Sequence, residues 1–244
     1  NNGDALGLKE VIANIVNLLE NEDAPAVNNA GESKTTVVML TNPNNPIGLL
    51  ADREDILKLA DSCRDHNAVL GVDESFILFT GGQDKNSVCG MVNELPLVVF
   101  RSFTKIYSIP GVRLGAALAG ANLIERLESC LPEWNISAAA NAAGLAALKE
   151  EAFVRETPDY IERERDFLCS ALKKCGIRTY PSEANYILIF TLLPLYEELL
   201  KRGFLIRDCA NYEGLDKGFY RLAVRSRREN ICLIEAIERV TGGA

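Results

Sequence analysis

Three short apolar runs constrain this chain more than any other feature: TTVVML at 35–40, AVLGVDE at 68–74 and PLVVFRS at 96–102. Their apolar residues are consecutive, where a half-solvated strand would alternate them with polar ones. Such runs predict strands buried on both faces, as in a parallel sheet covered by helices. The flanking segments agree. ALGLKEVIANIVNLLEN (5–21) and LADREDILKLADSCRDH (50–66) carry apolar residues at helical spacing, with Asp52 or a neighbour placed to cap the second. NPNNPIG (42–48) is a dense turn, EDAPAVNNAGESK (22–34) a polar loop, and GAALAG (115–120) offers a fourth, short strand. Strands and helices in this order predict a largely parallel sheet covered by helices.

Beyond residue 149 the pattern changes. A helix at 159–176 precedes strand-like NYILIF, helix PLYEELLKRG, strands FLIRDC and YRLAVRS, and a closing helix RENICLIEAIERVTG. The expected fold class is therefore α/β. A large domain at 1–148 holds a mainly parallel sheet covered by helices, and a smaller C-terminal α+β domain spans 149–244. ISAAANAAGLAAL (136–148), at the junction, reads as a packed helix.

Composition narrows the function classes. A net charge of -8 and a pI near 4.9, with no Lys/Arg run, argue against nucleic-acid or anionic-membrane partners. No apolar stretch reaches the roughly 18 residues of a membrane span. A basic segment followed by an apolar one, the mark of a secretory leader, is also missing, so a cytoplasmic location is expected. The seven cysteines are scattered without a C-x-x-C pair and read as reduced, buried small hydrophobes. With His66 the one histidine, neither a metal site nor a Ser-His-Asp mechanism is expected, and His66 reads as structural, at a helix end.

In open parallel sheets, ligands bind beyond the carboxyl ends of the strands. All three apolar runs end in polar residues there: the Asn-Pro turn, Asp73-Glu74, and Ser102, Thr104 and Lys105. Taken singly, each has an ordinary reading. Asp73 could cap a helix or join a salt bridge, and Lys105 could be a surface lysine. Taken together, hydroxyls at 102 and 104 with the guanidinium of Arg113 suit phosphate oxygens. An amine beside such a cradle, with a carboxylate facing a ring nitrogen, is the binding pattern of pyridoxal phosphate.

NPNNPIG, VDESF and SFTKIYSIPGVRLG, in that order, resemble the fold-type-I pyridoxal-phosphate enzymes of the class I/II aminotransferase family. The spacing fits too, with 28 positions from Asn45 to Asp73, 32 on to Lys105 and 8 on to Arg113. The resemblance runs from about residue 36 to the C-terminus. It implies pyridoxal 5'-phosphate as cofactor and Lys105 as the Schiff-base lysine and later proton carrier. Asp73 would hold the pyridine nitrogen and Asn45 the ring hydroxyl, while Ser102, Thr104 and Arg113 take the phosphate. Phe76 departs from the pattern, since many members carry a tyrosine there that also reaches the ring hydroxyl. Ile47 replaces the more usual threonine or serine.

Arg207 and Arg221 lie 14 positions apart on strand-like segments and suit bidentate recognition of an anionic substrate. By the resemblance, Arg221 would hold the substrate carboxylate. IRDCANYEGL followed by YRLAVRSRREN resembles the threonine-phosphate decarboxylase branch, which makes aminopropanol phosphate for the cobalamin side chain. Histidinol-phosphate aminotransferases are close relatives. The resemblance therefore implies a small phosphorylated amino-acid substrate and a homodimer, with decarboxylation preferred over transamination. Family members also carry an N-terminal portion with a glycine-rich phosphate turn and a ring-stacking aromatic residue, neither of which is visible here. The chain, which starts at Asn1, is accordingly expected to be a truncated form, an inactive remnant being the alternative. Its remaining strands should then expose apolar edges and faces.

Overall fold

The computed structural model describes residues 5–21 and 36–242, so the polar loop expected at 22–34 lies outside the described part. The chain divides into two compact units. Of the described residues, one takes those from Ala5 to Pro43 together with Leu50–Arg155, and the other takes Asn44–Leu49 and those from Glu156 onward.

The first unit contains α1 (Ala5–Asn21), β1 (Thr36–Thr41), α2 (Arg53–Asp65), β2 (Ala68–Asp73), α3 (Gln83–Asn86) and β3 (Leu97–Ser102). It continues through α4 (Phe103–Ile106), β4 (Gly115–Ala119), α5 (Ala121–Glu128) and α6 (Ala138–Ala147) to the first residues of α7 (Glu151–Lys174). Its sheet has the order β1-β2-β3-β4, with the first two pairings parallel and β4 antiparallel to β3. Thr41 pairs with Asp73, and Asp73 with Phe100, so all three parallel strands end at one edge. Ile12 and Leu19 of α1 and Ile56 and Leu59 of α2 pack with Leu40, Leu70, Val72 and Val99 on one face.

Local signals explain α2. Glu54 and Asp55 sit in its first turn, where the helix dipole favours negative charge. Asp52 occupies the N-cap, but it closes the turn through its backbone carbonyl, which accepts from the Asp55 and Ile56 N–H groups, and not through a side-chain cap. His66 is the C-cap, with Nδ1 2.8 Å from the Ser62 carbonyl oxygen, the structural role expected of it.

Two expectations are corrected. β1 is not buried on both faces, because Val37 and Met39 are 59% and 58% exposed while Leu40 is buried. Helices cover one face of this strand among the described residues, and a run of consecutive apolar residues reads the same whether one face or two are covered. The stretch 136–148 does form a helix, α6, but packs only in part, and it is separated from α5 by residues 129–137, where Trp134 is 95% exposed. α6 buries Ala140, Gly144 and Ala147 but leaves Leu145 and Leu148 each 58% exposed.

The second unit continues α7 and adds β5 (Arg178–Thr179), β6 (Tyr186–Phe190), α8 (Leu195–Leu200), β7 (Arg207–Asp208), β8 (Phe219–Ala223) and α9 (Arg227–Thr241). Its sheet, in the order β5-β6-β8-β7, is antiparallel throughout. The FLIRDC strand shrinks to two residues.

A buried carboxylate joins α7 to α9. Glu164 accepts from Arg227 Nε at 3.0 Å and from Asn230 Nδ2 at 3.0 Å, and the Asn230 amide oxygen in turn accepts the Arg225 N–H. The Arg227 bond, helped by that of Asn230, holds the Glu164 carboxyl below its ordinary value despite burial. A lowered folded-state value adds stability above the ordinary carboxylate range that is lost as pH falls through it. Glu164→Ala is expected to cost ~2 kcal/mol in urea unfolding at neutral pH, since its charged hydrogen bonds are lost and Asn230 Nδ2 keeps only the Arg225 carbonyl as acceptor. Glu164→Gln should flatten the fall in stability below about pH 4 relative to the parent protein.

Candidate active site

Asp73 ends β2, and its Oδ1 accepts the Ser75 N–H at 2.9 Å. That is its one side-chain hydrogen bond among the described residues. The Asp73 carbonyl accepts the Asn42 N–H at 2.9 Å, continuing the ladder past the end of β1. Phe76 follows in the next turn, and Lys105 Nζ stands 5.7 Å from its ring centroid.

Ser102, Thr104, Lys105 and Arg113 all belong to the connection between the antiparallel strands β3 and β4. Ser102 pairs with Gly115 at its base, and the Phe103 N–H donates to the Leu114 carbonyl at 3.2 Å. The loop therefore returns on itself. It brings the backbone of Arg113 beside that of the two hydroxyl residues, whose Oγ atoms are 2.7 Å apart. Thr104 is buried, Lys105 exposed and without an ion pair among the described residues, and Arg113 exposed with Nη1 donating to the Pro110 carbonyl. Arg113 has φ 54° and ψ 51°, a left-handed conformation that a non-glycine residue adopts at a cost and that recurs at functional sites.

Two residues that went unassigned on sequence grounds lie next to these. Glu74, 1% exposed, accepts from Arg101 Nη2 at 2.8 Å, Ser87 Oγ at 2.8 Å and the Val88 N–H at 2.9 Å. The only hint in the sequence was their adjacency to Asp73 and Ser102. An acid and a base lying 27 positions apart carry no local pattern that pairs them.

Asn45, Arg207 and Arg221 come together in the second unit. The Asn45 side-chain oxygen accepts from Arg221 Nη1. The turn that carries Asn45 is fixed there by the Tyr186 hydroxyl, which donates to the Asn44 carbonyl at 2.9 Å, and by the Glu183 N–H, which donates to the Gly48 carbonyl at 2.8 Å. Gly48 has φ +90°, and a Cβ on it would collide with Ser182, so both conformation and space require glycine. Ile47 packs with Tyr180, Leu188 and Cys209.

Arg207 and Arg221 are direct cross-strand partners on β7 and β8. Like charges opposite one another destabilise a ladder. Neither guanidinium meets a carboxylate among the described residues. Arg207 donates to the Asn211 amide oxygen at 2.8 Å and lies 5.6 Å from the Tyr212 ring, while Arg221 uses Asn45 and lies 5.1 Å from the Tyr186 ring. Both line an open cleft of about 630 Å³ with Tyr196, Leu205, Ile206 and Asp208. Cys209 is buried beside them, and burial pushes its thiol above the ordinary value against the pull of both arginines, which suits the packing role expected of it.

The family model for aminotransferase class I and II matches residues 13–237. The chain belongs to the class I and II aminotransferase family. It is 35% identical over 211 residues to the threonine-phosphate decarboxylase of Salmonella typhimurium, covering 84% of this chain and 58% of that protein. It is 31% identical over 222 residues to the histidinol-phosphate aminotransferase of Methanothermobacter thermautotrophicus, covering 88% and 58%. Among solved structures, the histidinol-phosphate aminotransferase from Clostridium acetobutylicum superposes with a TM-score of 0.79 at 29% identity, covering 85% of this chain and 64% of that one. The L-threonine-O-3-phosphate decarboxylase from Porphyromonas gingivalis gives 0.73 at 29% identity, covering 83% and 64%. The chain thus spans about three fifths of the length of these relatives. The fold class expected from the three apolar runs is that of this family. Among the described residues no helix is long and apolar enough to cross a membrane, and no cluster of metal-ligating side chains occurs.

The arginine pair makes a direct forecast. Arg207→Gln removes one of two facing positive charges, so thermal unfolding of the ligand-free protein should rise by the equivalent of ~0.5 kcal/mol.

Proposed function

We propose that the chain carries the cofactor and substrate residues of a pyridoxal-phosphate-dependent enzyme acting on a phosphorylated amino acid. Its reaction is the decarboxylation of threonine phosphate to aminopropanol phosphate. The cofactor is pyridoxal 5'-phosphate. The residues of the first unit fit it: two hydroxyls 2.7 Å apart and a guanidinium on one returning loop, and, among the described residues, an amine without an ion pair and a strand-end carboxylate with one side-chain hydrogen bond. When bound, that cofactor supplies an electron sink for the bond broken at the substrate's α-carbon.

The chain's own residues carry the remaining work. Asp73 holds a proton on the ring nitrogen by offering a fixed negative charge. Ser102, Thr104 and Arg113 bind the phosphate with two hydroxyls and a planar fork of N–H donors. Asn45 takes the ring hydroxyl, and Phe76 offers Lys105 an aromatic face where many relatives offer a phenol. Lys105 would hold the cofactor through Nζ and would take up and return a proton at that atom. Arg221 takes the substrate carboxylate and Arg207 its phosphate.

The observation that carries the substrate reading is the facing pair Arg207 and Arg221, two guanidiniums with amide and aromatic neighbours and no carboxylate among the described residues. Such a pair suits a substrate with two anionic groups. Decarboxylation is preferred on the local sequence at 205–230. Relatives of the aminotransferase type stand at similar identity and support transamination of a phosphorylated amino compound as the second reading. The homodimer implied by the resemblance belongs to the same proposal.

Incubation with threonine phosphate and pyridoxal phosphate should release carbon dioxide without amino transfer to 2-oxoglutarate. Transfer without carbon dioxide would favour the aminotransferase. Arg221→Lys should lower kcat/KM by about 10- to 100-fold, as expected when a bidentate charged contact becomes a single one.

A further inference from the structure

We propose that the buried Glu74–Arg101 ion pair, with Ser87 as its third member, is a positioning device that holds the carboxyl ends of β2 and β3 together, so that Asp73 and the Ser102–Lys105 segment address one cofactor. The inference rests on the cofactor reading above and names residues that reading leaves out.

Strand alternation sets the geometry. Asp73, Phe100 and Ser102 point to one side of the sheet. Glu74 and Arg101, one residue along each strand, point to the other, where Leu70, Val72, Leu97 and Val99 pack against the helices. The Glu74 N–H extends the ladder by donating to the Phe100 carbonyl at 2.9 Å. Its carboxylate then receives Arg101 Nη2, so backbone and side chain bind the same two strand ends. Ser87 Oγ donates to Glu74 Oε2 and accepts from Arg101 Nη2 at 2.9 Å, while the Ser87 carbonyl accepts from Arg53 Nε at 3.1 Å. The strand ends are thereby tied to the start of α2.

Two features separate this cluster from ordinary core stabilisation. A buried ion pair is a poor stabiliser, since apolar residues of like volume often do as well or better. This one also leaves Arg101 Nε buried with no hydrogen-bond partner among the described residues, a cost that stabilisation alone does not explain. Its place is the second argument. Each charged member is the immediate chain neighbour of a proposed cofactor ligand, Glu74 of Asp73 and Arg101 of Ser102. Arg101 also pairs with Glu74, whereas Asp73 has no ion pair among the described residues.

The test compares cofactor affinity with folding stability in the whole protein, using Glu74→Gln, Arg101→Met, the double variant, and Ser87→Ala as the mildest change. Affinity is read from titration of the visible pyridoxal-phosphate band, with Lys105→Ala as control, and stability from melting of the cofactor-free protein. Both single charge variants should melt lower and bind at least tenfold more weakly. The double variant, with no unpaired buried charge, should recover the melting temperature yet remain at least tenfold weaker in binding. Ser87→Ala should weaken binding about threefold with little change in melting. A double variant that regains parent affinity along with its stability overturns the proposal, as does unchanged affinity in Ser87→Ala. A parent protein whose band does not depend on Lys105 overturns the cofactor reading itself, and this proposal with it.

Discussion

Everything in the first unit depends on the parallel pairing of β1, β2 and β3. Parallel strands that share a direction must end at one edge, and consecutive apolar residues leave no room for polar side chains before that edge. Chemistry can therefore enter only at the strand ends. Asp73 is the first polar residue its strand permits, Arg101 and Ser102 follow the apolar run of β3, and the ladder sets Asp73 opposite Phe100, two residues before Ser102. The antiparallel return of β4 folds the following segment back, which sets Arg113 beside the hydroxyl residues. Sheet direction thus becomes site geometry without a dedicated scaffold.

The second unit solves a different problem. Two arginines opposite one another on a short antiparallel ladder repel, and amide oxygens and tyrosine rings hold them without neutralising them. Amides and π faces orient a guanidinium but leave its charge available to a ligand. A carboxylate partner would have stabilised the fold and filled the charge. The Glu164 cluster in the same unit shows the contrast, since there Arg227 is paired and its role is to tie α7 to α9.

Much of this was legible in the sequence, for identifiable reasons. β2 and β3 were visible because their apolar residues are consecutive and bounded by turn residues. The polar strand ends were visible because nothing else interrupts the runs. β1 misled because one covered face and two give the same letters, and Val37 and Met39 turned out exposed. α6 misled because alanine-rich helices carry little directional signal. Glu74 and Arg101 stayed hidden for another reason: their pairing is made by register between strands, which no spacing along the chain encodes. The direct opposition of Arg207 and Arg221 was hidden in the same way.

The central claim is that the residues at these strand ends bind pyridoxal phosphate through Lys105. Its most direct test is borohydride reduction of the protein incubated with pyridoxal phosphate, followed by mass spectrometry of its peptides. A single pyridoxyl adduct on the peptide bearing Lys105, abolished in Lys105→Ala, is the predicted result. An adduct on other lysines, unaffected by that substitution, would contradict it.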